Sequence, residues 1–111
     1  MQKFSLEAIA REQLTKALAA PAGRAAETVY GGSECALRQT VVALKAGTEL
    51  AEHENPGEAT VQVLTGRVRL NSPEANWELR QGDLLIVPRA RHSVTALTDA
   101  TIVLTVVKNR A

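Results

Sequence analysis

Two histidines and one cysteine are the residues of this chain best suited to reactive chemistry. His53 opens the stretch His53-Glu54-Asn55-Pro56-Gly57-Glu58, which runs on through an apolar segment to Gly66. His92 closes the stretch Arg89-Ala90-Arg91-His92. A neutral imidazole can ligate a transition metal, take a proton as a general base, or hydrogen-bond a small ligand. Asn55 adds an amide donor and acceptor beside the first histidine. Arg91, with Arg89, is placed to draw an anionic ligand toward the second. Cys35 has no partner for an internal disulfide, and a lone thiol on an apolar segment suits a small core position in a reducing cytoplasm.

These residues need elements to hold them. Residues 5 to about 19 carry a helical period, with Leu6, Ile9, Ala10, Leu14, Ala17 and Leu18 on one face. Ser5 is the expected N-cap, and Pro21 with Gly23 stops the helix. After Gly23 the pattern changes to short β-prone segments, each bounded by a turn signal. The expected strands are 27–30, 35–44, 48–53, 59–65, 67–71, 76–80, 84–87, 92–97 and 101–107. Such regular spacing predicts a sandwich or a closed barrel. In the long 35–44 strand both alternating faces carry apolar residues. One face holds Leu37, Gln39, Val41 and Ala43, and the other Arg38, Thr40, Val42 and Leu44. One of them therefore meets either the helix or a partner subunit. Trp77 is expected to pack against its sheet.

The totals exclude several classes. With 111 residues and 45% hydrophobic residues, the chain supports one domain with one modest core. The net charge of +1 is interspersed, and Phe4, Tyr30 and Trp77 are the only aromatics. No nucleic-acid footprint results. No apolar stretch approaches the length of a membrane span, and no signal peptide is expected, so the predicted location is the cytoplasm.

Two segments, Gly47-TELAE-His53-Glu54-Asn55-PGE-Ala59-TVQVLT-Gly66 and Gly82-DLLIV-Pro88-Arg89-Ala90-Arg91-His92, resemble the paired motifs of the cupin family. The resemblance covers about residues 35–108. It implies an all-β fold, a single cupin domain over residues 1–111 with residues 35–108 as its jelly-roll (double-stranded β-helix) barrel core and residues 1–22 as a short N-terminal helical extension. It also implies a metal held by three histidines and one glutamate, and a homodimer. Carried over residue by residue, His53 and His92 keep ligand positions, Asn55 takes the second histidine position, and Ala59 takes that of the glutamate. Glu58 could replace the lost carboxylate if a bulge turned it inward, giving a two-histidine, one-carboxylate set for Fe, Mn, Ni, Cu or Zn. On regular alternation it faces outward. The expected function is binding of a small molecule by His53, Asn55, His92 and Arg91 around an incomplete metal site. The alternative is a metal-dependent oxygenase or isomerase acting on a small polar substrate.

Overall fold

A computed structural model of the chain describes residues 1–53, 57–87 and 91–108, with the backbone alone for Glu52 and His53. The expectations placed on Glu54, Asn55, Arg89 and Ala90 lie outside the described residues.

The fold is mostly β, with one helix. Helix α1 spans Leu6–Ala19 and begins where the Ser5 hydroxyl accepts the amide of Ala8, as an N-cap should. The strands are β1 (Arg24–Tyr30), β2 (Leu37–Leu44), β3 (Glu49–His53), β4 (Gly57–Thr65), β5 (Arg67–Asn71), β6 (Asn76–Arg80), β7 (Leu84–Ile86), β8 (His92–Ala96) and β9 (Ala100–Lys108). They form a five-stranded sheet in the order β1-β2-β9-β4-β7 and a four-stranded sheet in the order β3-β8-β5-β6. Every ladder is antiparallel.

The two sheets share one core. Val42 and Leu44 of β2, Val61 and Val63 of β4 and Ile102 of β9 meet Val68 and Leu70 of β5 with Val94 and Ala96 of β8. These positions alternate along their strands, which is why a period of two was visible in the sequence.

The outer face of the larger sheet carries a second cluster. Val41 and Val103 lie under Ala10, with Leu6 and Ile9 packed alongside. The ambiguity of β2 is thereby resolved at this end: the Val41 face meets the helix, and the Val42 face meets the core. The helix approaches on small residues, since its buried positions are Ala10, Gln13 and Ala17. Gln13, 3% exposed, is tied by its amide to a Glu27 carboxylate oxygen at 3.3 Å. This contact line rotates Leu18, expected on the inner face, out to 45% exposure.

Strand β1 begins at Arg24, three residues before the sequence reading. Arg24, Ala25 and Ala26 have little intrinsic strand preference, but they pair with Leu44, Ala43 and Val42. Trp77 sits opposite the buried Leu70, yet stays 56% exposed because β6 is an edge strand. The turn between β4 and β5 is a single residue, Gly66, at φ 78°. A side chain there would run into the carbonyl of Asp99, so glycine is required on both conformational and steric grounds.

Candidate functional site

The histidines come together through backbone register. Strand β3 pairs with β8 so that Glu49 faces Thr95, Leu50 faces Val94, and His53 faces His92. Two residues, Ala51 and Glu52, thus oppose the single Ser93, which is a β-bulge. Strict alternation from Leu50 would put residue 52 on the core-facing side. The extra residue brings the His53 backbone into register with His92. His92 is 2% exposed and continues the inward series of Val94 and Ala96.

The facing sheet supplies a floor at the same end. His53 is joined to Gly57 by four Cα steps, which span at most about 14 Å. The ends of β4, β2 and β9 therefore lie near the histidine pair. There Arg38 pairs with Val106, Val106 pairs with Ala59, and the Ala59 carbonyl accepts the amide of Val87 at 2.9 Å. Ala59, Val87 and Val106 belong to the core and are 4%, 4% and 5% exposed.

The position expected to carry a metal-binding glutamate is thus an alanine in an apolar row. Glu58 does not take over. The β4–β9 ladder is regular from Gly57 opposite Lys108 to Val63 opposite Ile102, and its only shift lies between Val63 and Thr65. The bulge that would turn Glu58 inward is not present. Glu58 is exposed and pairs with Val107 on the outer face. Among the described residues, no group of three or more His, Cys, Asp or Glu side chains could hold a metal ion. Among the described side chains His92 stands with an inward Ala59 and an outward Glu58, which is not the four-ligand set the sequence motifs imply.

Arg91 is exposed immediately before His92. Two further cations at this end were not singled out from sequence. Arg38 is exposed, but its pairing with Val106 puts it on the core-facing side of β2. Lys108, opposite Gly57, shares that side of β9, and its amine donates to the Gly32 carbonyl at 3.4 Å. Because β2 is apolar on both faces, alternation alone could not say which face looked inward.

Cys35 lies in the turn before β2. It is partly buried, and its sulfur is 3.9 Å from the Tyr30 hydroxyl. This contact, then the charge on the sulfur, burial and the charge of Glu34, raise the Tyr30 pKa above its ordinary 10.0.

The family profile described as "Cupin domain" matches residues 40–108. Comparison with curated proteins gives no match. Among solved structures, a conserved protein of unknown function from Streptococcus pyogenes is 25% identical, with a TM-score of 0.74 over 83% of this chain and 80% of that one. An RmlC-like cupin from Desulfovibrio desulfuricans is 26% identical, with a TM-score of 0.66 over 76% and 81%. KdgF from Halomonas sp. shares the fold at 18% identity, with a TM-score of 0.68 over 82% and 84%. The profile takes in both motifs and every strand from β3 to β9, so the chain belongs to the cupin family.

Proposed function

We propose that this chain is a small-molecule-binding cupin with an incomplete metal site, its two sheets forming the family's jelly-roll barrel. The ligand binds at the histidine end, between the His53–His92 pair and the row Arg38–Val106–Ala59–Val87. The observation that carries this reading is the combination of a bulge-set histidine pair with an apolar residue, Ala59, where a carboxylate ligand would stand. A buried imidazole beside apolar walls gives a ligand one directional hydrogen bond and a surface to cover, the usual composition of a small-molecule site. Asn55 and Arg91 complete the polar contacts in this reading. The protein would serve as a cytoplasmic sensor, a sequestering module or a subunit, and work as a homodimer.

The test is metal content of protein purified without a His-tag, followed by thermal-shift screening against Fe(II), Mn, Ni, Cu, Zn and a panel of small organic molecules. The expected result is sub-stoichiometric metal together with a shift from an organic ligand that His92→Ala removes. About one metal per chain, lost in both His53→Ala and His92→Ala, would overturn the reading in favour of a metal-dependent enzyme.

A further inference from the structure

We propose that the histidine end is an oxyanion site, and that Arg38 and Lys108 hold a carboxylate or phosphate group of the ligand. This rests on the reading of that end as the ligand-binding end, and it adds the chemical class.

The argument begins with strand pairing. Arg38 is the partner of Val106, and Lys108 follows Val106 by two residues on the same strand. The two cations therefore occupy diagonal positions on neighbouring strands, on one face, a separation that long side chains bridge. That face is the core-facing one, since Val106 and Ala59 belong to the central cluster. Arginine at an inward position costs stability unless its head reaches water or an anion. Arg38 meets this condition by lying at the sheet's end, where it is exposed.

The surroundings leave its charge available. Arg67 on the other sheet is held by Glu78 at 3.1 Å, and Arg11 on the helix by Glu7 at 3.1 Å. No such carboxylate is found for Arg38 among the described residues. Glu34 lies in the adjoining turn, where it accepts the Ser33 hydroxyl. Glu58, the carboxylate nearest in the ladder, projects from the opposite face. Arg91 adds a third cation at the start of β8.

The backbone also braces Arg38. Gly31 has φ 121°, and a Cβ there would stand 2.9 Å from the Arg38 Cα and 3.0 Å from its Cβ. The turn before β2 therefore packs directly against the residue that carries the guanidinium. The root of the side chain is thereby held, and its planar fork can engage two oxygens of a carboxylate or phosphate.

Isothermal titration of the full chain with inorganic phosphate, succinate and neutral glucose tests the proposal. Phosphate or succinate should bind, more weakly as salt is added. Arg38→Ala and Lys108→Ala should each weaken that binding about tenfold, while Arg67→Ala leaves it unchanged. Arg38→Met, which keeps the apolar stem, separates loss of charge from loss of packing and should behave as Arg38→Ala. Binding of phosphate alone or of succinate alone identifies which oxyanion is recognised. Anion binding indifferent to Arg38→Ala and Arg38→Met overturns the inference. So does a series in which only glucose binds, although a glucose signal lost in His92→Ala would leave the ligand-binding reading standing. Silence from all three probes overturns the oxyanion site, while the organic-ligand screen decides the wider reading separately.

Discussion

His53 and His92 are Cα partners across the β3–β8 ladder, although β3 carries one residue more than β8 between Leu50 and His53. A bulge absorbs that extra residue and keeps the two histidines in register. Deleting Ala51 leaves one residue on each strand between the two pairs, so Glu52 would face Ser93 and His53 would still face His92 in a regular ladder. That variant should keep a cooperative unfolding transition, a β-type circular dichroism spectrum and the ligand response, whereas His53→Ala should lose the response. A deletion variant that loses the thermal shift as completely as His53→Ala does would show that the bulge itself, and not the pairing alone, shapes the site.

Ala59→Glu restores a carboxylate where the family motif has one. In the metal-free protein it should destabilise the fold by about 3 kcal/mol or more, because the row between Val106 and Val87 offers no partner for a buried charge. Zn or Ni should recover part of that loss, since His53 and His92 would gain a third ligand. Urea unfolding with and without metal measures both effects. Equal unfolding curves with and without metal would show that the histidine pair is not positioned to share an ion.

Tyr30 is the only tyrosine of the chain, so its ionisation can be followed by tyrosinate absorbance. The hydrogen bond and then the charge of Cys35 are the leading causes of its raised pKa. Cys35→Ala should therefore move the titration of the folded protein down toward 10.0, leaving the smaller effects of burial and Glu34. In unfolded protein the same substitution should leave the titration unmoved, because the 3.9 Å contact is gone. An unchanged midpoint in the folded variant would show that the pair does not form in solution.

The uncovered part of the larger sheet's outer face bears on assembly. Leu84 and Ile86 on the edge strand β7 are 61% and 72% exposed, and Leu37 and Val107 lie on the same face. Light scattering coupled to size exclusion should give twice the 11.9 kDa chain mass. Ile86→Lys should shift the protein to monomer while leaving its circular dichroism unchanged. A wild-type mass of one chain would overturn the homodimer.

Much of this architecture was legible because alternation and turn chemistry agreed. Strands 67–71 and 76–80 were bounded by Gly66, by Asn71-Ser72-Pro73 and by Gln81-Gly82, and the ladder runs over those same residues. The start of β1 was not legible, because Arg24-Ala25-Ala26 is recruited by pairing rather than by propensity. Within the site, the sequence singled out both histidines, and Ala59 at the lost carboxylate position. It left the direction of Glu58 open, because one slip reverses a face and only the observed ladder with β9 settles it. Arg38 was hidden for a related reason: an arginine on a strand apolar on both sides reads as solvent-facing until the partner strand is known.

The small residues beneath α1 determine how this molecule opens. Ala10 and Ala17 bury little area each, and Gln13 is held by one long hydrogen bond. The helix should therefore open ahead of the sheets, with its amides exchanging through local opening. The amides of β2, β4 and β9, at the centre of the sheet, should exchange more slowly. Each local excursion of the helix would uncover Val41 and Val103, leaving the two sheets with a bare apolar face prone to self-association.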